Sequence, residues 1–190
     1  MIGLDEVGRG AWAGPLLVVA ARIKSGKKLP TGVNDSKKLS KKRREQLYGE
    51  IVTVCDIGEG WISSDIVDEL GLTTALTMAF SNAAKMLSPS TDEEIIVDGN
   101  YNFLKELGYS RVRTEVGADG SVAVVSAASI AAKVLRDRRM AEYSKEFPGY
   151  AFERNVGYGT KLHMTGLSQF GPSTIHRMSY KPVAECARQP

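Results

Sequence analysis

The chain has few of the residues that disulfide, cofactor and soft-metal sites require. It contains two cysteines, Cys55 and Cys186, and two histidines, His163 and His176, in 190 residues. The cysteines lie far apart without metal-type spacing, so we expect no disulfide framework and a reducing compartment. Either histidine could carry protons near neutral pH, but a hydrogen-bonded structural role is the default expectation.

The chain also lacks a long apolar run. No apolar stretch reaches the length that spans a membrane, and the N-terminus lacks a signal-peptide layout, so we expect a cytoplasmic protein with no membrane partner. Apolar residues make up 43% and charged residues 25% of the chain, which are ordinary fractions for a globular protein. The length suits a single domain over residues 1–190.

The chain has little excess charge of either sign, but its basic residues are concentrated in one segment. The net charge is only +3, yet residues 37–44 read Lys-Lys-Leu-Ser-Lys-Lys-Arg-Arg. A basic patch on a nearly neutral protein indicates a polyanionic partner at one face. A solvated helix start explains the same run equally well.

Four carboxylates stand at the ends of short apolar runs beside glycine: Asp5, Glu6, Asp98 and Asp119. A cluster of carboxylates without histidine or cysteine favours Mg²⁺ or Mn²⁺ over zinc, and two such ions can hydrolyse a phosphodiester. Adjacent residues of a regular strand point to opposite faces, so Asp5 and Glu6 share a site only if the strand ends or bulges there. Otherwise Asp5 merely ends a strand.

Two loops carry residues suited to a nucleic acid. Gly8, Arg9 and Gly10 form a turn that offers backbone amides and one guanidinium to a sugar-phosphate backbone, although many ordinary turns look alike. Tyr158 lies between two glycines, where we expect an exposed ring that stacks on a sugar or base. The alternative is a ring that packs over its own loop.

The longest predicted helix carries a polar row. Ser126, Ser129, Lys133 and Arg136 fall on one face, opposite the apolar stripe. This row is either an ordinary solvated face or a ridge that binds phosphates.

The hydrophobic patterns predict an α/β domain, because strand-like and helix-like runs alternate. Ser40 and Ser64 are the predicted helix caps. The predicted strands cover residues 1–5, 16–23, 94–98 and 111–116, and the predicted helices cover 40–54, 65–70, 72–87, 126–147 and 160–169. Residues 117–120 are predicted as a turn and 149–159 as a loop.

Taken together, these segments resemble the ribonuclease HII family, the type 2 ribonucleases H. The resemblance covers nearly the whole chain and rests on six ordered motifs, which are more specific together than any one alone. They are Asp5–Gly10, Asn34–Ser40, Val97–Asn100, Ser126–Lys133 with Arg136 and Asp137, Gly157–Thr160 with His163, and His176–Tyr180.

The resemblance implies an RNase H-like fold, in which helices flank a mixed sheet, with a small helical C-terminal region at about residues 160–190. It implies an endoribonuclease that hydrolyses the RNA strand of RNA–DNA hybrids. It also implies incision on the 5′ side of single ribonucleotides embedded in duplex DNA, leaving 3′-hydroxyl and 5′-phosphate ends. The implied partner is therefore one of these duplexes, and the implied state is a monomer.

The resemblance also implies a role for each candidate residue. The catalytic carboxylates, which also bind two Mg²⁺ or Mn²⁺ ions, would be Asp5, Glu6, Asp98 and Asp119. Gly8, Arg9 and Gly10 would read the ribonucleotide 2′-hydroxyl, and Tyr158 would stack on the sugar after the RNA-to-DNA junction. The strand backbone would be contacted by Asn34, Ser36 and Lys37, and the polar row would add Ser126, Ser129 and Lys133.

Three positions in two segments depart from the family pattern. Asn155 and Val156 stand where the family often has His-Lys. Gly117 precedes Ala118 and Asp119 where the family usually has a lysine. Asp119 is therefore the least secure ligand, and Asp137 is its substitute.

Three other functions stay open from the sequence. Ribonuclease HIII shares the fold, but that class usually has an extra N-terminal domain and a lysine where this chain has Arg9. A nucleic-acid-binding module without catalysis is disfavoured by the four carboxylates, which repel phosphates unless metal neutralises them. A nucleotide-binding switch is disfavoured because the chain has no phosphate-binding loop of the Gly-x-x-x-x-Gly-Lys-Ser/Thr type.

Overall fold

The computed structural model describes residues 1–34 and 36–187. Asp35 of the Asn34–Ser40 motif and the last three residues of the predicted C-terminal region lie outside this part. The described residues form five strands: β1 Ile2–Val7, β2 Leu16–Ile23, β3 Cys55–Ile62, β4 Ile95–Asp98 and β5 Val112–Glu115. The helices are α1 Lys41–Val54, α2 Ser64–Leu70, α3 Leu72–Met86, α4 Ala118–Ser121, α5 Ala123–Glu146, α6 Phe152–Asn155, α7 Lys161–Phe170 and α8 Lys181–Ala187.

The contacts within the chain divide it into two units. The first unit comprises Met1–Val7, Leu17–Trp61 and Leu76–Val134, and the second comprises Gly8–Leu16, Ile62–Ala75 and the chain from Leu135 onward. The prediction of a single domain therefore stays a prediction, and each unit is described by itself.

The first unit is built on a mixed sheet with the strand order β3-β2-β1-β4-β5. Strand β1 pairs antiparallel with β2 and parallel with β4, which in turn pairs parallel with β5. The central strands are buried along most of their length, as expected for nearly continuous apolar runs. The predicted mixed sheet flanked by helices is confirmed.

Helix α1 begins where its sequence predicts. The Ser40 hydroxyl accepts the backbone N–H of Arg43 at 3.2 Å, so the predicted cap satisfies one of the amides that a helix start leaves unpaired. Helix α2 differs by one position, because Ser63 rather than Ser64 is its N-cap residue. Residues 118–121 form helix α4 instead of the predicted turn.

Strand β3 was not predicted, because Gly58 and Gly60 interrupt its apolar pattern. Helix α3 packs so closely here that an added Cβ would lie 2.2 Å from the Ala83 carbonyl oxygen at Gly58 and 1.9 Å from the Ala79 carbonyl oxygen at Gly60. These glycines therefore serve close helix–strand packing rather than a turn.

A similar close approach joins β1 to the start of α5. A Cβ added to Gly3 would lie 2.6 Å from the Val125 backbone nitrogen and 2.8 Å from the Val124 carbonyl oxygen. Since α5 carries Ser126 and Ser129, this contact also sets the distance between those serines and Asp5 on β1.

Gly3→Ala is expected to lower the free energy of unfolding by about 1–3 kcal/mol, because the methyl group meets backbone atoms that cannot turn aside. Urea denaturation measures the loss. Gly49→Ala is the control, because within the described residues nothing lies within 4 Å of its added Cβ in helix α1. The control should gain about 0.5–1 kcal/mol from helix propensity. Equal effects of the two variants would contradict the packing argument.

The second unit has its own apolar cluster. Helices α6, α7 and α8 surround Tyr150, Phe152, Leu167 and Val183, all of which are buried. The predicted small helical region is therefore present, although α6 lies in the segment predicted as a loop. Among the described residues, no helix has the length and apolar character needed to cross a bilayer.

Candidate active site

The sheet of the first unit brings two acidic residues side by side. Leu4 of β1 and Val97 of β4 are the last paired positions of the two parallel strands, and Asp5 and Asp98 are the next residues of each. Positions in register on parallel neighbours share a face of the sheet. Asp5 and Asp98 therefore lie on the same face, beyond the last pair.

Asp5 is a buried carboxyl group with only 7% of its surface exposed. Burial, together with the charges of Glu6, Asp98 and Asp119, raises its pKa to about 7. A hydrogen bond from the Ser129 side chain opposes this rise, and the Glu6 N–H donates to Asp5 Oδ1 at 2.8 Å. Asp5 thus lies where negative charge accumulates without enough positive charge to balance it.

Asp98 is half-buried and only partly satisfied. Burial and the Asp119 charge raise its pKa, while hydrogen bonds from the backbone N–H groups of Asp119 and Ala118 and the charge of Lys37 oppose the rise. Among the described residues, Asp98 Oδ1 is a buried oxygen that accepts no hydrogen bond. A buried acceptor without a donor is costly, so this atom is available to a ligand.

Asp119 lies in the short helix α4, with 6% of its surface exposed. The Lys37 ammonium lies 3.2 Å from Asp119 Oδ2. Lys37 is mostly exposed, so its side chain reaches the acidic group from solvent. The cation beside Asp119 is therefore carried on a flexible side chain.

Glu6 corrects one expectation about strand β1. The strand neither ends nor bulges at Asp5, because regular pairing continues from Asp5 opposite Val19 to Val7 opposite Leu17. Glu6 therefore follows Asp5 on the other face of the sheet. Its charge still acts on Asp5.

Within residues 1–34 and 36–187, no three Asp, Glu, His or Cys side chains are placed as a ready-made metal site. The donors present are nonetheless those of a hard cation, namely carboxylate oxygens with no histidine or cysteine among them. The unpartnered Asp98 oxygen and the raised pKa of Asp5 are the features that a divalent cation would relieve. The residues therefore fit such an ion, although their side chains would have to turn to share it.

The polar row of helix α5 is not a solvent-facing ridge. Ser126 and Ser129 are buried, and only Lys133 is partly exposed. The Ser126 hydroxyl donates to the Asp119 carbonyl oxygen at 2.7 Å, and Ser129 Oγ lies 2.9 Å from Ser36 Oγ. These serines hold the acidic residues in place. Asn34 and Lys37 remain exposed.

In the second unit, Tyr158 contacts the Gly8–Gly10 turn directly. The Gly8 N–H donates to the Tyr158 hydroxyl at 3.2 Å. Gly8 has a φ of +86°, and an added Cβ would lie 2.2 Å from Arg136 Nε, so only glycine fits there. Tyr158 is half-buried rather than fully exposed.

The Gly8–Gly10 turn makes further hydrogen bonds through the Arg9 carbonyl oxygen. Arg9 and Gly10 are nevertheless exposed. The Arg9 carbonyl oxygen accepts from Arg177 Nη1 at 3.0 Å and from the Tyr180 hydroxyl at 2.6 Å. The backbone of the turn is thereby fixed.

Arg136 was expected on the exposed row, but it is completely buried in the second unit. Its guanidinium donates to the carbonyl oxygens of Pro15, Val156 and Ala13 at 2.8, 2.8 and 3.2 Å. Burial lowers its pKa to about 10, which leaves it charged at neutral pH. Sequence spacing gave no sign of this burial, because it depends on loops distant along the chain.

The mixed sheet, with acidic residues where β1 and β4 leave their common pairing, defines a nuclease of the ribonuclease H fold class. The ribonuclease HII family model matches residues 2–183, and the chain belongs to this family. The predicted family and fold are thus confirmed.

Individual proteins agree with this assignment. Ribonuclease HII of Campylobacter jejuni is 43% identical over 181 residues, which cover 95% of this chain and 90% of that protein. The structure of the PCNA:RNase HII complex from Archaeoglobus fulgidus contains a chain with a TM-score of 0.84 and 30% identity, matched over 100% of this chain and 97% of that one. Bst-RNase HIII in complex with Mn²⁺ shares the fold, with a TM-score of 0.77 and 18% identity over 98% of this chain and 70% of that one.

The predicted enzyme class is confirmed as well. The protein is a type 2 ribonuclease H, a metal-dependent hydrolase, and it acts as an endoribonuclease on RNA–DNA.

Proposed function

We propose that this enzyme hydrolyses the RNA strand of RNA–DNA hybrids and also incises duplex DNA on the 5′ side of a single embedded ribonucleotide. The products carry 3′-hydroxyl and 5′-phosphate ends. The observation that carries the proposal is the group formed by Asp5, Asp98 and Asp119, whose charges act on one another in the first unit. Such a group of carboxylates can bind divalent cations, which in turn act on a phosphodiester.

The proposed cofactor is a pair of Mg²⁺ or Mn²⁺ ions held by Asp5, Glu6, Asp98 and Asp119. When bound, two such ions activate a water and stabilise the leaving oxygen of the phosphodiester. The all-oxygen donor set and the unpartnered Asp98 Oδ1 support this assignment. The charge of Glu6, which raises the pKa of Asp5, supports its inclusion in this set.

Asp119 is the better candidate for the fourth carboxylate. Its charge raises the pKa of both Asp5 and Asp98. Asp137 instead acts on Arg136, whose pKa its charge raises against the larger effect of burial. We therefore assign Asp137 to the support of Arg136.

The buried serines position the acidic residues, and the neighbouring cations contact the substrate. Ser129 hydrogen-bonds Asp5, and Ser126 hydrogen-bonds the Asp119 backbone. Each serine therefore helps to position a carboxylate that would bind the cations. We assign contact with the nucleic-acid backbone to Asn34, Lys37 and Lys133, with Ser36 holding Ser129.

Recognition of the ribonucleotide is assigned to the second unit. Gly8, Arg9 and Gly10 would read the 2′-hydroxyl mainly through backbone contacts, and this hydroxyl is the group that distinguishes RNA from DNA. Tyr158 would stack on the sugar after the RNA-to-DNA junction. The fixed backbone of the turn and its hydrogen bond to Tyr158 support this role, because a preorganised site loses little entropy on binding. We further propose that the enzyme is a monomer, that it is located in the cytoplasm, and that it acts in ribonucleotide repair.

A labelled duplex with one embedded ribonucleotide tests the proposal. We expect incision on its 5′ side with Mg²⁺ or Mn²⁺, a 3′-hydroxyl end, and complete loss of cleavage with a chelator. Asp98→Asn should lower the rate by at least about 10³-fold, because stabilisation of the transition-state charge is worth several kcal/mol. Gel mapping of the ends and single-turnover rates give the measurements.

An all-DNA duplex of the same sequence is the substrate control, and Asp56→Asn, which changes a partly exposed aspartate paired with Arg22, is the protein control. Cleavage that resists the chelator would reject the metal mechanism. Cleavage of long RNA tracts alone would indicate the specificity of ribonuclease HIII. Binding without turnover under every metal condition would indicate a module without catalysis.

A further inference from the structure

The chain's two histidines, His163 and His176, meet in the interior of the second unit. Both are buried, with 0% and 3% of their surfaces exposed, and their Nε2 atoms lie 2.9 Å apart. The rings of Tyr150 and Phe152 pack around them. At that separation one Nε2 must carry the proton and the other must accept it.

The outer nitrogens decide the direction of this hydrogen bond. His176 Nδ1 accepts the Ser173 backbone N–H at 2.9 Å, so His176 carries its proton on Nε2. His163 Nδ1 lies 3.0 Å from the Tyr158 carbonyl oxygen, which can only accept, so His163 carries its proton on Nδ1. His163 Nε2 is therefore the acceptor, and a single directed chain runs from Ser173 through both rings to Tyr158.

Each ring is neutral in this arrangement, and its surroundings favour that state. Burial lowers the pKa of His163, and burial together with repulsion from a charged His163 ring lowers the pKa of His176 to about 4. A second proton would place two N–H groups against each other, either between the rings or at Ser173. The pair is therefore unsuited to carrying protons near pH 7.

The chain of hydrogen bonds ends on a residue that is held at both ends. The Tyr158 carbonyl oxygen accepts from His163 and from the Thr160 N–H at 2.8 Å. The Tyr158 hydroxyl accepts from the Gly8 N–H at 3.2 Å, and the Arg136 guanidinium lies 5.6 Å from the centroid of the Tyr158 ring. The two histidines thus fix the backbone end of Tyr158, and the turn fixes the hydroxyl end.

We propose that His163 and His176 are positioning residues that hold the Tyr158 ring in the orientation that binds the nucleic acid. The inference rests on the proposed function, in which Tyr158 stacks on the sugar at the RNA-to-DNA junction. His163 acts on Tyr158 directly, and His176 acts by fixing the tautomer and orientation of His163. Neither ring contacts the substrate.

Two substitutions of His163 separate its two hydrogen bonds. His163→Asn places an amide near the position of Nδ1 and keeps a donor for the Tyr158 carbonyl oxygen. His163→Gln reaches the position of Nε2 and keeps a partner for His176, but leaves Tyr158 without its donor. We expect His163→Gln to raise KM for a duplex with an RNA-to-DNA junction by about five- to tenfold with little change in kcat, the effect of one hydrogen bond. His163→Asn should restore KM toward the wild-type value.

His163→Gln in a Tyr158→Ala background distinguishes a positioning role of His163 from a general effect on stability. If His163 acts through Tyr158, His163→Gln adds nothing to the KM of Tyr158→Ala. An equal rise in both backgrounds overturns the inference and leaves the role of Tyr158 intact. A wild-type KM in Tyr158→Ala overturns both the inference and the stacking role, while cleavage itself would still support the acidic site. Circular dichroism confirms that each variant is folded at the assay temperature.

The protonation of the two histidines can also be measured directly in the wild-type enzyme. Because the chain has two histidines, long-range ¹H–¹⁵N correlation spectra contain signals from two imidazole rings. We expect one ring protonated on Nδ1, one on Nε2, and both neutral at pH 7. Two rings of the same tautomer, or a charged ring at pH 7, would overturn the directed chain.

Discussion

Asp5→Asn is expected to abolish cleavage and at the same time to stabilise the metal-free enzyme. Removing one carboxylate ligand takes away the charge that binds the cations, so the rate should fall by at least about 10³-fold. The buried charge of Asp5 costs folding free energy when no cation balances it, because burial and three neighbouring carboxylates raise its pKa to about 7. Asparagine keeps the shape without that charge.

The pH dependence of this stabilisation follows from the sign of the pKa shift. The pKa of Asp5 is about 7 in the folded protein and 3.8 in the unfolded chain, so the folded protein holds the proton more tightly. The cost is therefore absent below about pH 3.8, grows as the pH rises toward 7, and is complete above pH 7. At pH 8 we expect Asp5→Asn to gain about 1–3 kcal/mol, after the desolvation cost of the buried amide.

Urea denaturation of metal-free wild type and Asp5→Asn between pH 4 and pH 8 checks this expectation, and Asp56→Asn serves as the partly exposed control. Added Mg²⁺ should stabilise the wild type and leave Asp5→Asn nearly unchanged, so the two proteins should converge. An Asp5→Asn variant that is active, or that is less stable than the wild type at pH 8, would contradict the account of this site.

The sequence predicted the elements whose patterns depend on near neighbours. Strand β2 is a continuous apolar run, and helix α1 buries Leu47 and Ile51, which lie four residues apart. Ser40 caps α1 by accepting a backbone N–H only three positions away. Asp5 and Asp98 are also predicted as site residues from local signals, because each follows an apolar run. Parallel pairing of β1 with β4 then places the two together.

The sequence failed where burial depends on distant segments. The sequence predicts Ser126 and Ser129 on an exposed face, either an ordinary solvated face or a phosphate-binding ridge, since an amphipathic helix is assumed to bury one side. The first half of helix α5 is buried on both sides, and the small hydroxyl groups are tolerated because each has a hydrogen-bond partner. The His163–His176 pair gives no local signal either, because the partners lie on separate segments and meet only in the folded unit.

Arg136→Met is expected to cause the largest loss of stability, about 3–5 kcal/mol. The guanidinium is buried and charged, and its three hydrogen bonds satisfy the carbonyl oxygens of Ala13, Pro15 and Val156. Methionine fills part of the volume but removes the donor from three carbonyl oxygens, two of them in buried hydrogen bonds, which is far costlier than losing a surface ion pair. Urea denaturation at pH 7, where the pKa of about 10 keeps Arg136 charged, measures the loss.

The matched control is Arg139→Met, three residues further along α5. Arg139 is half-exposed and pairs with Glu142 at 3.0 Å, so its loss should cost less than about 1 kcal/mol. Arg136→Lys keeps the charge but lacks the planar fork that reaches three carbonyl oxygens, so it should recover only part of the stability. If Arg136→Met and Arg139→Met lose the same amount, the carbonyl oxygens are satisfied by water and the buried guanidinium does not organise the segment before β2. A large loss for Arg136→Met alone, with partial recovery in Arg136→Lys, would show that hydrogen-bond geometry as well as charge holds the Tyr158 loop in place.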